Sequence, residues 1–334
     1  MNQGGGVWSS IANTQYGFNL LTQLSSVIGI VGISFFVHWF AAVIVWSVER
    51  YFAQESFRKG ILIYTALFSI VMIFGATHLY TDSRAKKHTV KVAGLTATTF
   101  QVLESLYKDV YSKNILIDPK IGQTSKELQK VQSALVSFIE NPDTTKFVNG
   151  LKALYRLHDS LFALSQQAAY KGANTIAWSE GNGFMLSSMQ DAFIKRGVKF
   201  AAKNKVYLLM ALAVFEPGKI TPEKNFLENK TVLIAPDGNI VNVFYKNHPV
   251  PFAEHVVLGD GTIPVIATPY GNISPSICYD ADIPSTMKQL GKEKSDVLFL
   301  PSGDWYDIAP YHSYMTMFRG IENGITVVRP TSGG

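Results

Sequence analysis

The stretch Asn272-Ile-Ser-Pro-Ser-Ile-Cys278-Tyr-Asp280 holds the only cysteine among the 334 residues of the chain. Its residues from Ile273 to Ile277 predict a buried strand, and the thiol follows directly where that strand ends. A free cysteine is most often a small buried hydrophobic residue. The alternative is a nucleophile, which requires a base and an oxyanion stabiliser from elsewhere in the chain. The cysteine alone favours the first interpretation.

Composition divides the chain around this stretch into two parts. Only 16% of the residues are charged, against ~25% in soluble proteins, and the deficit is concentrated between residues 20 and 80. The net charge of +5 is modest, and no basic run is interleaved with aromatic residues. Nucleic-acid binding is therefore not predicted. A single cysteine excludes an internal disulfide bond and leaves the redox compartment open.

Two apolar segments, at about residues 20–46 and 61–80, are each long enough to cross a bilayer, which takes ~20 residues. A buried core helix is the alternative for each segment, but two uncharged runs in series favour membrane spanning. The N-terminus lacks the basic region and the cleavage site of a signal peptide. We therefore predict a membrane segment over residues 1–86, with two transmembrane helices, and a second domain over residues 87–334.

The two spans are predicted to form a hairpin, which places the N-terminus and the second domain on one side of the membrane. The loop between them carries Arg50, Arg58 and Lys59, whereas the N-terminal tail has no basic residue. The positive-inside rule then predicts a multi-pass protein of the cell membrane with an extracytoplasmic second domain. The basic residues at positions 84, 86 and 87 act against this orientation.

Residues 87–334 alternate between strand and helix patterns, which predicts a mixed α/β domain in which helices cover sheets. A helical insert, at about residues 100–155, precedes this alternation and has no function that the sequence reveals. Asp237-Gly238 predicts a hairpin between two apolar strands. Tyr270-Gly-Asn272 predicts a second turn, directly before the cysteine strand.

Two other strand ends carry the groups that a thiol nucleophile needs. Glu180 follows an apolar strand on a glycine-rich turn, where α/β sheets place their ligands. Lys246 ends the strand over residues 240–245, and a proline-rich loop after it returns Glu254. Taken singly, the first is explained as a turn or capping acid and the second as a surface lysine. Together with Cys278, in this order within one α/β domain, they predict an active site.

This ordered trio of Glu180, Lys246 and Cys278 resembles the nitrilase, or carbon–nitrogen hydrolase, superfamily. Four further blocks match it: Pro251-Phe-Ala-Glu254, Ile277-Cys-Tyr-Asp280, Leu300-Pro-Ser-Gly-Asp-Trp305 and Met317-Phe-Arg-Gly-Ile-Glu-Asn-Gly324. The resemblance covers about residues 90–334. It implies a nitrilase-like αββα sandwich, preceded here by the transmembrane helices.

The N-terminal part resembles one branch of that superfamily. Gly6-Val-Trp-Ser-Ser and Leu24-Ser-Ser-Val-Ile-Gly-Ile-Val-Gly-Ile-Ser-Phe-Phe36 are similar to a membrane segment of apolipoprotein N-acyltransferases. Those enzymes carry a nitrilase-like domain on the outer face of a membrane bundle. They move an acyl chain from a phospholipid to the N-terminal cysteine amine of a lipoprotein. The resemblance thus implies a phospholipid donor, a lipoprotein acceptor and no cofactor.

The resemblance also implies roles for the trio. A free thiol has a pKa near ~8.5 and is mostly protonated at neutral pH, so the acid at Glu180 takes its proton. Lys246 favours the thiolate and, with the backbone N–H of Tyr279, stabilises the tetrahedral oxyanion. Glu254 matches a second family acid that orients the lysine or relays protons.

Other candidate residues keep two interpretations. Asp280 falls where the acyltransferases generally carry glutamate, so its role stays open, and Trp305 either lines the pocket or fills the core. His312 and the i, i+3 pair Arg319 and Glu322 are predicted to be structural, since such pairs commonly brace a helix. The histidines are scattered without a metal-binding spacing, so no metal is predicted.

Three departures from the family pattern leave the acyl acceptor open. By that pattern the chain is a fragment that lacks upstream membrane helices and ends in mid-domain. The link between Lys246 and Cys278 is short and lacks the apolar arm of many acyltransferases. The main prediction is therefore N-acyl transfer through a thioester. The alternative is a membrane-tethered amidase or nitrilase with the same trio. A third interpretation is a receptor-like domain that binds ligands without turnover, and the intact trio argues against it.

Overall fold

The computed structural model describes residues 6–82, 89–118, 126–218, 220 and 226–332. After a short 3-10 helix, the N-terminal segment contains four helices: α1 (Asn19–Thr22), α2 (Ser25–Ile28), α3 (Ile30–Phe52) and α4 (Arg58–Asp82). The predicted boundary at residue 86 and the basic residues at 84, 86 and 87 lie outside the described residues.

Two of these helices, Ile30–Phe52 and Arg58–Thr81, are long and apolar enough to cross a membrane. The first begins later than the predicted span of about residues 20–46. Gly29 separates α2 from α3 because its φ of 70° lies in the left-handed region, which interrupts the helix. The residues before Gly29 form the short helices α1 and α2 and the link between them. Their apolar side chains Leu21 and Leu24 pack with Phe318 of the second domain.

The second domain follows the predicted alternation closely. Its first half contains β1 (Val92–Leu95), α5 (Phe100–Tyr111), α6 (Lys126–Glu140), α7 (Val148–Tyr170), β2 (Thr175–Trp178), β3 (Gly183–Leu186), α8 (Gln190–Asn204), β4 (Tyr207–Phe215), β5 (Leu227–Ile234) and β6 (Ile240–Tyr245). Its second half contains β7 (Ile266–Thr268), β8 (Gly271–Pro275), α9 (Pro284–Lys292), β9 (Val297–Phe299), α10 (Tyr311–Asn323) and β10 (Thr326–Val328). Strand β3 is not among the predictions, since its glycine-rich start has the composition of a turn.

The strands form two sheets that pack face to face. One sheet has the order β1-β2-β4-β5-β6, with β3 also paired to β4, and the other has the order β10-β9-β8-β7. Apolar side chains from both sheets fill the space between them, including Leu209, Leu233 and Phe299. Helices α7 and α8 cover the outer face of the first sheet, and α9 and α10 lie against the second. This arrangement confirms the predicted αββα sandwich.

The parallel strands of this sandwich position the predicted site. Strands β1, β2 and β4 run parallel in one sheet, and β8, β9 and β10 run parallel in the other. Parallel strands present their carboxyl ends at one edge, and ligands bind there in α/β sheets. Glu180 follows the end of β2 and Cys278 follows the end of β8.

Candidate active site

Cys278 lies at the sharp turn between β8 and a 3-10 helix that spans Cys278–Asp282. Its φ of 45° is in the left-handed region, which a residue with a side chain rarely adopts and which costs ~1–3 kcal/mol. The backbone N–H of Cys278 donates a hydrogen bond to the Pro301 carbonyl at 2.9 Å, which holds the turn against the loop after β9. The side chain is 6% exposed. The fold thus retains a strained backbone in order to present this thiol.

Glu180 lies against the thiol and is fixed by neighbouring donors. Its Oε1 accepts hydrogen bonds from Lys246 Nζ at 2.9 Å and from Asn229 Nδ2 at 2.7 Å. Its Oε2 accepts one from the Gly303 backbone N–H at 2.7 Å. The Cys278 thiol lies close enough to this carboxylate to contribute to lowering its pKa. The carboxylate therefore has the contacts that a general base for the thiol requires.

Lys246 is fully buried between two carboxylates. Its Nζ lies 2.9 Å from Glu180 Oε1 and 2.8 Å from Glu254 Oε1. Glu254 is in turn fixed by the Val250 backbone N–H, which donates to its Oε2 at 2.8 Å. An ammonium group has three N–H donors, so binding two carboxylates leaves one for a substrate oxygen. The structure thus brings together the predicted trio and the second predicted acid.

The charges of this cluster shift its pKa values in a consistent way. Burial acts to raise the pKa of Glu180, but the Lys246 ammonium together with the hydrogen bond from Asn229 and the nearby Cys278 outweighs it, so that pKa lies below its ordinary value. Burial raises the pKa of Glu254, and Lys246 only partly offsets this effect. Burial and the negative charge of Glu180 raise the pKa of Cys278, while Lys246 and His312 act in the opposite direction. The resting pair is therefore a neutral thiol beside an ionised carboxylate.

His312 lies on the other side of the thiol, which the sequence did not predict. Its Nδ1 is 2.8 Å from Asp304 Oδ1 and its Nε2 is 2.8 Å from Asp282 Oδ2, and the Asp304 carboxylate also accepts two hydrogen bonds from Arg329. Burial acts to lower the pKa of His312, but these two carboxylates raise it to about 11. The ring is therefore an imidazolium at neutral pH, and one of its nitrogens lies within 4.8 Å of Cys278 Sγ.

Three of these side chains are close enough together to resemble a metal site. The donor atoms of Cys278, Asp304 and His312 lie within 4.8 Å of one another, and this is the one such group among the described residues. A metal-binding histidine must be neutral, whereas both ring nitrogens of His312 contact carboxylates. Asp304 is already neutralised by Arg329. We therefore interpret the group as an ion-pair network.

The Asp280 carboxylate stabilises the site through neighbouring backbone and hydroxyl groups, and not through the side chains of Glu180 or Lys246. Its Oδ1 accepts hydrogen bonds from the backbone N–H groups of Asn247 at 3.0 Å and His248 at 2.7 Å. Its Oδ2 accepts from Ile277 N–H at 3.0 Å and Ser276 Oγ at 3.2 Å. Burial raises the pKa of Asp280 to about 7. The acid thus ties the residue after Lys246 to the end of the cysteine strand, which resolves a role that the sequence left open.

Two other predicted residues lie at the edge of the site. Tyr279 is buried and directly follows the thiol, as an oxyanion-binding backbone N–H requires. Trp305 is 37% exposed and lines a cavity of about 1000 Å³ beside the site.

Trp8, from the segment before the first apolar helix, closes the site and was not predicted. Its ring centroid lies 5.3 Å from that of Tyr279, 5.8 Å from that of Trp305 and 6.2 Å from that of His312. Its buried Nε1 has no hydrogen-bond partner among the described residues. The N-terminal segment therefore supplies one wall of the candidate active site.

The sequence signals for the unpredicted residues are weak. Asn229, which orients Glu180, lies in a strand with no local motif, whereas Gly303 lies in the block Leu300-Pro-Ser-Gly-Asp-Trp305 that carries the family resemblance. Asp304 lies within one of the blocks that carry the family resemblance, so its presence at the site has a sequence signal. The pairing of His312 with two distant acids has none.

Comparison with known proteins places the chain among related sequences. The family model described as carbon–nitrogen hydrolase matches residues 119–334, a range that contains Glu180, Lys246 and Cys278. An apolipoprotein N-acyltransferase of Geobacter metallireducens is 22% identical over 354 residues, covering 98% of this chain and 58% of that protein. A deaminated glutathione amidase of Synechocystis sp. is 29% identical over 130 residues, covering 35% of this chain and 48% of that protein. The chain thus spans about half the length of these curated relatives.

Solved structures of lower similarity also match. An amidase from Nesterenkonia sp. is 20% identical, with a TM-score of 0.41, and the match covers 53% of this chain and 68% of that chain. A carbon–nitrogen hydrolase from Helicobacter pylori G27 is 19% identical, with a TM-score of 0.43, over 53% of this chain and 68% of that chain.

Proposed function

The chain belongs to the carbon–nitrogen hydrolase family, and on that premise we propose that it is a membrane-bound N-acyltransferase. In this proposal an acyl chain passes from a phospholipid to Cys278 and then to the N-terminal amine of a lipoprotein. The similarity to the Geobacter protein supports it, because that match covers 98% of the chain and so includes the apolar helices as well as the catalytic domain.

The observation that carries the proposal is the contact between the N-terminal segment and the thiol region. Trp8 packs on Tyr279, the residue after the nucleophile. Glu322 of α10 accepts a hydrogen bond from the Ile30 backbone N–H, at the first residue of α3, at 2.8 Å. The candidate active site therefore lies at the end of the helix pair that contains the start of α3 and the end of α4. A nucleophile at that end of α3 and α4 is within reach of an acyl chain in a bilayer that the two helices span.

The first half-reaction forms the thioester. Glu180 takes the proton of Cys278, and the thiolate attacks the carbonyl carbon of the phospholipid ester. The Lys246 ammonium and the Tyr279 backbone N–H stabilise the tetrahedral oxyanion. The carbon–oxygen bond of the ester then breaks, and the leaving alkoxide takes the proton from Glu180. The products are the acyl-enzyme and a lysophospholipid.

The second half-reaction reverses these roles. The acceptor amine attacks the thioester carbonyl and gives one proton to Glu180. The carbon–sulfur bond then breaks, and the thiolate of Cys278 recovers the proton from Glu180. The products are the amide and the free enzyme, and no cofactor is consumed.

The membrane orientation is part of the same proposal. Helices α3 and α4 join through a loop at the end remote from the catalytic domain, and Arg50 pairs there with Glu55. Arg58 and Lys59 follow at the start of α4. The positive-inside rule makes this end cytoplasmic and the catalytic domain extracytoplasmic.

Hydrolysis of a carbon–nitrogen bond is the second candidate. The connection between Lys246 and Cys278, all of whose residues are described, consists of β7, β8 and loops, without a helix that would reach a membrane. The same trio would then form a thioester from an amide, and water would be the final acceptor. The partial match to the deaminated glutathione amidase supports this alternative.

The two candidates differ in the fate of the acyl group. The full chain, reconstituted in lipid nanodiscs with a phospholipid labelled in its acyl chain, is expected to carry a label on Cys278 that hydroxylamine removes. Addition of a lipopeptide with a free N-terminal amine is expected to move the label to the peptide. The Cys278→Ala variant serves as the control. Absence of label on the wild type, together with turnover of a small amide, would replace transfer by hydrolysis.

A further inference from the structure

A cavity of about 1000 Å³ separates the helical insert from the loop that carries Trp305. The insert contributes Phe100, Leu116 and Val131 to its wall, and the loop contributes Trp305 and the residues after it. Its volume is at the upper end of the range for ligand pockets, ~300–1,000 Å³. The insert therefore lines a cavity large enough to hold a ligand.

This cavity borders the catalytic carboxylate. Gly303 lies in its wall, and the same residue donates its backbone N–H to Glu180 Oε2 at 2.7 Å. Asp304, the next residue of the wall, holds the imidazolium of His312. A group that projects from the cavity past Gly303 would reach the base that the second half-reaction uses.

The charge of the wall selects among ligands. The acidic and basic side chains of the described lining, apart from two tyrosines, are all carboxylates: Asp118, Glu127, Asp304 and Asp307. Asp304 is neutralised by Arg329, whereas Glu127 and Asp307 are exposed carboxylates of the wall. A phosphate group binds where Arg, Lys or backbone N–H groups meet it, and carboxylates repel it.

The remaining wall is aromatic and aliphatic. Trp305, Tyr306 and Tyr311 face the apolar side chains of the insert across the cavity. Aromatic faces attract cations, and desolvation strengthens the attraction. An apolar wall with carboxylates therefore complements a ligand that has a hydrocarbon body and an ammonium group.

We propose that this insert cavity binds the amine acceptor, and that the phospholipid headgroup is excluded from it. The inference rests on the proposed acyl transfer, and it adds where the acceptor binds and which charge it carries. An amine that leaves the carboxylates at the rim meets Glu180 at the adjoining wall. The ammonium first releases one proton to solvent at the rim, and the free amine gives its second proton to Glu180 as it attacks the thioester.

The test separates the two half-reactions. In the full chain in nanodiscs, the double variant with Glu127→Gln and Asp307→Asn is expected to raise the KM for the lipopeptide about tenfold. The rate of thioester formation from labelled phosphatidylglycerol, whose headgroup has no amine, should stay unchanged. Glu140→Gln is the matched control, because it removes a carboxylate from the same helix α6 outside the cavity. An unchanged KM, or a slower first half-reaction, would overturn the assignment.

A binding measurement tests the cavity independently of acyl transfer. Calorimetric titration of the Cys278→Ala protein compares hexylammonium with hexanoate, which have the same chain length and opposite charge. Tighter binding of hexylammonium, weakened by salt and by the double variant, is expected. Equal or tighter binding of hexanoate would refute the inference. If wild-type protein shows no acyl transfer but this preference holds, the proposed function fails and the cation site stands.

Discussion

The two regions of this molecule place the same kinds of side chain in opposite environments. In the catalytic domain, Leu208 and Leu212 of β4 are 0% exposed because another layer covers each face of the sheet. In the N-terminal segment, Val31 of α3 is 72% exposed and Leu62 of α4 is 66% exposed. Uncovered apolar surface on this scale marks an interaction site or a membrane.

The difference extends to charge. The catalytic domain buries Lys246 and Asp280 completely, each within hydrogen-bonded partners. Helices α3 and α4 bury no charged side chain among their described residues. A charge can be buried only where hydrogen-bonding partners replace water. The packed interior of the domain therefore holds a charged site. The helices offer a largely apolar surface instead, with their charged residues near the helix ends. The following predictions test this division of roles.

Glu180→Gln should have the largest effect on activity. It removes the base for the thiol, and general acid–base catalysis contributes ~10²–10⁴-fold. A radiolabel assay of thioester formation measures the loss. The wild-type rate should also fall as the pH drops through the pKa of Glu180, which Lys246 holds below its ordinary value. The variant should lack this acidic limb, and a variant that retains normal turnover would contradict the assigned base.

Lys246→Met should have the largest effect on stability. It leaves Glu180 and Glu254 buried without a counter-charge, which costs ~3–5 kcal/mol. Thermal unfolding in detergent measures the loss. Lys230→Met is the control, since Lys230 is also buried on a neighbouring strand but pairs with the partly exposed Glu228. A similar loss of stability in both variants would mean that Lys246 has no special role in stabilising the domain.

His312→Gln should slow alkylation of Cys278 by iodoacetamide at neutral pH. The imidazolium lowers the thiol pKa, and each unit of pKa changes the thiolate fraction about tenfold. His248→Gln is the control, because the His248 ring contacts Thr286 Oγ1, and its contact with Asp280 at the site is made by the backbone N–H. Faster alkylation of the His312→Gln variant would contradict the charge that we assign to His312.

The same histidine should make stability fall with alkaline pH. Its pKa is about 11 in the folded protein and 6.5 in its ordinary state. A raised folded pKa stabilises the fold fully below pH 6.5, and the contribution disappears as the pH rises toward 11. Thermal unfolding of the wild type across this range should show the decline, and His312→Gln should flatten it.

Gly75→Ala should have the smallest effect, and it tests the packing of the N-terminal segment. Glycine in an exposed helix interior normally costs ~1 kcal/mol relative to alanine, so the substitution would ordinarily stabilise α4. Here a Cβ at Gly75 would lie 2.0 Å from the Leu20 carbonyl oxygen of α1. We therefore expect a lower unfolding temperature, and a higher one would show that α1 and α4 do not pack in this way.

Much of the fold was predictable because its elements have strong local signals. The helices of the insert and α10 follow apolar periodicity, and the Asp237-Gly238 turn joins β5 to β6 as predicted. The exceptions have local explanations. Gly29 ends α2 by its backbone conformation, and β3 has a glycine-rich start that resembles a turn.

The features of the candidate site also divide into those that the sequence predicts and those that only the tertiary structure shows. By itself, the sequence determined the order of Glu180, Lys246 and Cys278, the strand ends that carry them and the two apolar helices. Periodicity and turn chemistry act between residues a few positions apart, so these features are legible along the chain. Only the tertiary structure decided that His312 is an imidazolium held by Asp282 and Asp304.

Tertiary structure alone also decided that Trp8 covers the site and that the insert opens a cavity beside Glu180. These features depend on contacts between distant residues, and the charge of a buried group depends on which neighbours replace its water. A linear sequence lists the titratable groups. The folded chain determines which of them meet.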